Sequence, residues 1–219
     1  MKGIPREVEA SREHTITNSR QIRLLRKNFF LSDHQKDVLV GTLLGDGGLY
    51  LEGWAKNYRL QIEQGDKQRD YLFWKFDIFR NCCSSEPSYQ SRNKSWRIRT
   101  LSHNEFNHYA HEFYREGVKV VPQNIIHYLN PLVIAIWFMD DGALGPRGEG
   151  YTINTQSFSY KENEYLRLCL DKKLSLKGIS IHKDKKWWRL YIRKQSMNDF
   201  RNLISPYVIP SMQYKLPRF

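Results

Sequence analysis

Two stretches, Val38-Leu39-Val40-Gly41-Thr42-Leu43-Leu44-Gly45-Asp46-Gly47 and Leu132-Val133-Ile134-Ala135-Ile136-Trp137-Phe138-Met139-Asp140-Asp141-Gly142, share one pattern. Each is an apolar run, long enough for three turns of helix, that closes on an aspartate followed by glycine. The C-terminal end of a helix carries partial negative charge, so a carboxylate there is disfavoured. One Asp-Gly pair alone reads as an ordinary helix end and turn. Two of them, at the ends of matching helices, point to carboxylates held in place for a cation.

Working outward, Ser32 and Gln35 have capping-box spacing, which predicts a helix over 33–46. Asn130 followed by Pro131 is an equally clear start for the second helix. Gly41 and Gly45 share a helix face where another backbone can approach closely. Beyond each run the apolar period changes to two, in 58–64 and again in 151–156. Tyr58, Leu60 and Ile62 then face a core, with Arg59, Gln61 and Glu63 outward. A helix over 67–80 is predicted with Asp66 as its cap, then a strand over 94–99 and a helix over 102–116. The second half gives a helix from Ser159 towards Gly178, a strand over 188–193, and a helix over 196–205 ending at Pro206.

The halves can be laid on one another. Asp46 and Asp141 stand 95 positions apart, while Tyr71-Leu72 and Tyr165-Leu166 stand 94 apart. Ser102-x-Asn104-Glu105-Phe106 matches Ser196-x-Asn198-Asp199-Phe200 at 94, and Lys119 matches Lys215 at 96. Near-constant spacing from independent landmarks implies an internal duplication. The expected class is α+β, with two pseudo-symmetric α-β-β-α-β-β-α halves, 32–125 and 126–219, after a basic N-terminal arm over 1–31. Neither half alone covers its apolar helix, so a pseudo-two-fold pair would bury both against each other.

Composition narrows the partner. Lys and Arg number 35 against 23 Asp and Glu, a formal net charge of +12, which suits a polyanion such as nucleic acid. The three cysteines, Cys82, Cys83 and Cys169, form no C-x-x-C pair, which argues against a disulfide framework or thiolate zinc site and fits a reducing compartment. No apolar run reaches the roughly 18 residues of a membrane span. The Arg-rich start permits an organellar transit peptide, and Glu7, Glu9 and Glu13 oppose it. An organelle and a prokaryotic cytoplasm both stay open. Arg20, Arg23, Arg26 and Lys27 recur near helical spacing, as a phosphate-contacting edge or as a solvated helix face.

If the two apolar helices pack face to face, Asp46 and Asp141 converge on the symmetry axis. Two carboxylates with nearby carbonyls, those of Gly45 and Asp140, suit Mg²⁺, which takes few protein oxygens and completes its shell with water and phosphate. Such a site supports displacement at phosphorus. Gln61 and Asn154, 93 positions apart, are candidates for positioning water or phosphate, and Lys119 and Lys215 for stabilising developing charge. The strands present Arg59, Arg97, Arg99, Arg189, Tyr191 and Arg193 outward, and Lys183, Lys185 and Lys186 occupy a loop. A strand ribbon fits the DNA major groove, where arginine matches guanine, with loop lysines on phosphates. For each such residue alone a solvated surface role stands level; the recurrence in both halves favours DNA.

Leu39–Gly47 and Ile134–Gly142 resemble the nine-residue motif of the LAGLIDADG homing endonucleases, of the single-chain, two-motif kind. Asn154-Thr155-Gln156-Ser157-Phe158 and Met212-x-Tyr214-Lys215-Leu216-Pro217 are also similar to segments of that family. The resemblance implies a DNA-binding saddle and staggered double-strand cutting of a long asymmetric site. It implies Asp46 and Asp141 as ligands of two or three shared Mg²⁺ ions, with Lys119 and Lys215 in the basic active-site positions. It also implies a monomer, encoded by an intron rather than an intein, with duplex DNA as partner. A non-cleaving relative of the same fold, an RNA maturase acting on intron RNA or a DNA-binding regulator, is the alternative. The second motif departs from the pattern: Ile136 stands where glycine is typical, beside bulky Trp137 and Phe138.

Overall fold

Local capping sets where the main helices begin. The structure, a computed structural model, describes residues 19–53, 55–145 and 148–216. Helix α1 spans Ser19–Lys27 and α2 spans Asp33–Leu44. The Ser32 hydroxyl accepts from the Gln35 amide at 3.2 Å, and the Gln35 side chain accepts from the Ser32 amide at 3.0 Å. Strands β1 (Gly48–Tyr50) and β2 (Arg59–Gly65), helix α3 (Arg69–Phe79), strands β3 (Ser88–Gln90) and β4 (Ser95–Arg99), and helix α4 (Glu105–Phe113) complete the first α-β-β-α-β-β-α run. A small hairpin, β5 (Tyr114–Arg115) with β6 (Val118–Lys119), and the short α5 (Ile125–Tyr128) lead to the second.

That second run is α6 (Pro131–Asp141), β7 (Gly142–Leu144), β8 (Tyr151–Ile153), α7 (Tyr160–Leu174), β9 (Ile179–Asp184), β10 (Trp187–Ile192) and α8 (Met197–Ile204). The Asn130 side chain accepts from the Val133 amide at 2.9 Å, with Pro131 at the first helical position. The mixed α+β class expected from the sequence holds, with two antiparallel four-stranded sheets ordered β1-β2-β4-β3 and β7-β8-β10-β9.

The apolar helices α2 and α6 sit in the core, with Val38, Leu39 and Leu43 on one and Val133 through Phe138 on the other fully enclosed. They cross closely because Gly41 has no side chain. A Cβ there would lie 2.6 Å from Ile136 Cβ and 2.7 Å from the Val133 carbonyl. The bulk at Ile136 is thus accepted by Gly41 on the facing helix. Two residues of the expected N-terminal arm, Phe29 and Leu31, are also buried. Phe29 packs tilted against His103 at 4.3 Å and meets Phe106 edge-on at 5.4 Å. Most of the arm, 1–18, lies outside the described residues.

Several predicted boundaries move. Asp66 does not cap α3; its carboxylate accepts from the Trp96 indole at 2.8 Å, and the helix starts at Arg69 after a 3-10 turn. The helix predicted over 102–116 stops at Phe113, because Glu116 and Gly117 adopt positive φ, +51° and +78°, and turn the β5–β6 hairpin. Helix α7 ends four residues before Gly178, at Leu174, with Ser175 left-handed at φ +53°. Pro206 lies within a 3-10 turn that continues from α8.

Candidate functional site

The tips of α2 and α6 bring the motif residues together. Asp46 is exposed and Asp141 half-buried, while the Asp140 side chain is fully enclosed. Burial, then the charges of Asp46 and Asp140, push the Asp141 carboxyl up to about 8, against the opposing pull of Lys119 and Lys215. Charge on Asp141 is thus disfavoured first by its burial and then by its two neighbouring aspartates.

Lys119 and Lys215 sit at corresponding places. The Lys119 ammonium donates to the carbonyls of Gly45 and Gly47, both at 2.8 Å. The Lys215 ammonium donates to the carbonyls of Met139 and Asp140, at 2.6 and 2.9 Å. Each lysine covers the negative end of its own half's motif helix, which explains how an aspartate is tolerated there. Burial draws both ammonium groups below the usual lysine range, while the neighbouring aspartates oppose this. The Gly45 and Asp140 carbonyls read from the sequence as metal oxygens are thus already lysine acceptors, each with one lone pair left.

Asp140 has a separate role. The Lys75 ammonium, itself fully enclosed, meets both its carboxylate oxygens at 2.7 and 3.0 Å. Burial raises the Asp140 carboxyl and Lys75 acts against that rise. Gln64 donates to Asp140 at 3.3 Å and to Asp46 at 3.0 Å, bridging the two helix tips. The Asp46 amide points to Asp140 Oδ2 at 3.4 Å.

Gln64 takes the place expected of Gln61. The Gln61 side chain accepts from Arg99 at 2.8 Å on the outer sheet face. The period of two explains the exchange, since Leu60, Ile62 and Gln64 form the buried face of β2. The Asn154 backbone amide donates to the Asp141 carbonyl at 3.0 Å, while its side-chain oxygen accepts from Gln156 at 3.3 Å. Gln61 and Asn154 are not equivalent, however: Gly48 pairs with Gln61, whereas Ala143, 95 positions on, pairs with Thr152.

Lys75 and Gln64 were not singled out in the sequence. Lys75 lies on the buried stripe of α3 with Leu72, Phe76 and Phe79, and a lysine on an apolar stripe was the available signal. Among the described residues no three His, Cys, Asp or Glu side chains form a metal cage. Two carboxylates plus carbonyls fit Mg²⁺, which commonly uses one or two carboxylates and completes its shell with water and phosphate.

On the first sheet, Arg59 pairs with Glu52, Arg97 with Glu63 at 2.7 Å, and Arg99 with Gln61. Hydrogen bonds from Ser95 and then Arg97 hold the Glu63 carboxyl below its usual range. On the second sheet Arg189 pairs with Asp184 at 3.5 Å, and Lys183, Arg189, Tyr191 and Asn154 line one hollow of about 560 Å³. Lys183 and Lys186 lie 5.8 and 4.8 Å over the Trp188 and Trp187 rings, Lys185 occupies the turn at φ +57°, and Arg193 is exposed beyond β10. A hollow of about 760 Å³ on the first half contains Asp46 and Lys119. Arg20, Arg23, Arg26 and Lys27 stand exposed on α1. No helix among the described residues is long and apolar enough to cross a membrane.

Comparison with known proteins matches residues 36–200 to the LAGLIDADG DNA endonuclease family. The cytochrome b mRNA maturase bI2 of Saccharomyces cerevisiae is 32% identical over 200 residues, covering 83% of this chain and 47% of the maturase. The chain thus spans about half the length of that relative. The probable intron-encoded endonuclease 1 of Wickerhamomyces canadensis is 29% identical over 213 residues, 91% of each chain. The solved structure of the homing endonuclease I-WcaI bound to its DNA recognition sequence is similar at a TM-score of 0.84 and 28% identity, covering 93% of this chain and 95% of that one.

Proposed function

This chain belongs to the LAGLIDADG DNA endonuclease family, and from that premise we propose that it is an intron-borne homing endonuclease, a single chain that cuts both strands of a long duplex site. The observation that supports this most is the pair of aspartates at the tips of packed α2 and α6, with Asp141 pushed up to about 8 by burial, Asp46 and Asp140. A divalent cation at the tips would stabilise the ionised form of these carboxylates.

In this reading the two sheets bind the duplex and orient the two scissile phosphates beneath the helix tips. Asp46 and Asp141 would hold Mg²⁺, two or three ions in all, with the Gly45 and Asp140 carbonyls as further oxygens. Bound Mg²⁺ would supply polarisation of the scissile phosphate and charge neutralisation. Lys119 and Lys215 add positive charge where negative charge develops on the phosphate. Gln64 keeps the Asp46 carboxylate aimed, and Asn154 borders Asp141. Water adds to phosphorus and gives up a proton to solvent as the bond to the leaving sugar oxygen breaks, and that oxygen takes up a proton from solvent. The outward Arg59, Arg97, Arg99, Arg189, Tyr191 and Arg193, with Lys183, Lys185 and Lys186, contact DNA.

A second reading, an RNA maturase, is favoured by the similarity to the S. cerevisiae maturase. One experiment separates them. Duplexes enriched by binding from a randomised library are incubated with the protein and Mg²⁺. Cutting of both strands at one position supports the endonuclease; tight binding with intact DNA contradicts it. Faster splicing of a group I intron RNA by the same protein would then favour the maturase.

A further inference from the structure

Lys75 is the most deeply buried cation of the centre, and its partner lies across the duplication. Helix α3 belongs to the first half, yet its lysine grips Asp140 on the second motif helix at 2.7 and 3.0 Å. Tyr71, one turn earlier, donates to the Ile136 carbonyl at 3.3 Å and lies under the Lys75 ammonium at 4.4 Å. The contacts then run on in series. Asp140 accepts from Gln64 at 3.3 Å, and Gln64 donates to Asp46 at 3.0 Å.

This device occurs once in a fold that is otherwise doubled. At the 94-residue spacing the counterpart of Lys75 is Cys169, a buried free thiol. The motif counterpart of Asp140 is Gly45, and a Cβ on Gly45 would lie 2.5 Å from Asp140 Cβ. The Asp140 side chain therefore occupies the space a side chain at 45 would need. Asp46 is anchored through the series, whereas among the described residues no side chain hydrogen-bonds the Asp141 carboxylate.

We propose that Lys75 is a positioning residue that, through Asp140 and Gln64, fixes the Asp46 carboxylate but not Asp141, so that the strand served by Asp46 is cut first. A carboxylate already held in its working orientation needs no reorganisation during the reaction. The inference rests on the endonuclease reading given above.

The test uses the full chain and a duplex enriched from a randomised library, with a different dye on each strand. Wild type is expected to cut one strand faster than the other. Gln64→Ala and Lys75→Met are expected to slow that strand by about tenfold or more and leave the other within about twofold, so that nicked DNA accumulates. Lys75→Met/Asp140→Asn removes both buried charges, keeps an oxygen facing Gln64, and is expected to restore the strand preference. Equal slowing of both strands, or none, overturns the proposal. Should Lys75→Met fail to fold, Gln64→Ala and the double variant decide by the same criteria. A second readout needs no cutting: the Gln64 side-chain amide resonance of the metal-free protein is expected to move in Asp140→Ala. If it does not move, the series is absent. If wild type cuts neither strand, the endonuclease reading fails, and the amide resonance alone decides whether the series exists.

Discussion

Asp141 and Lys75 carry the electrostatic cost of the centre. The Asp141 carboxyl rises from 3.8 to about 8 on folding. A raised carboxyl favours the folded state below its unfolded value, and that contribution is lost as pH climbs through about 8. Metal-free protein is therefore expected to lose stability from this group between pH 4 and 8, and Asp141→Asn to remove that part of the slope in pH-dependent thermal unfolding. Since Mg²⁺ needs the ionised carboxylate, its affinity is expected to fall as pH drops below about 8, with proton release on binding visible by calorimetry. Lys75→Met leaves a buried carboxylate uncompensated, and a loss of about 3–5 kcal/mol is expected in denaturant unfolding. The double change Lys75→Met/Asp140→Asn is expected to cost less than either change alone.

Helices and strands show which parts of the fold a single sequence can reveal. The starts of α2, α6 and α7 were legible because capping is a contact between residues three apart. The inward and outward faces of β2 followed from its period of two. The β5–β6 hairpin was not legible, since Glu116-Gly117 is a weaker signal than Asn-Gly or Asp-Gly. Nor was the Lys75–Asp140 pair, whose members are 65 positions apart, because no local pattern joins them. Gln64 was within reach of the alternation, which puts it on the buried face of β2 with Leu60 and Ile62 and leaves Gln61 on the outer face. At this scale the close crossing of the motif helices is the testable feature. Gly45→Ala introduces a Cβ 2.5 Å from Asp140 Cβ and is expected to destabilise by about 1–3 kcal/mol, measured by thermal unfolding. Ser32→Ala, which removes only the cap, is expected to cost about 1 kcal/mol.

For the whole molecule, duplication turns two apolar helices into one interface and their aspartates into one centre. The lysines at each tip and the single Lys75 series then decide how alike its two sides are. With the proposed binding of DNA, a net charge of +12 makes affinity steeply salt-dependent. For about six to ten phosphate contacts, a loss of roughly 10³–10⁵ is expected between 50 and 200 mM salt. Lys183→Ala and Lys186→Ala are each expected to lower the logarithmic salt slope by about one in filter-binding titrations. The paired aspartates are tested most directly by strand-resolved cleavage of a library-enriched duplex in Mg²⁺ by wild type, Asp46→Asn and Asp141→Asn, with binding measured in parallel. The expected result is cutting by wild type and loss of double-strand cutting in both variants, with binding retained. Undiminished double-strand cutting by either variant would contradict the account.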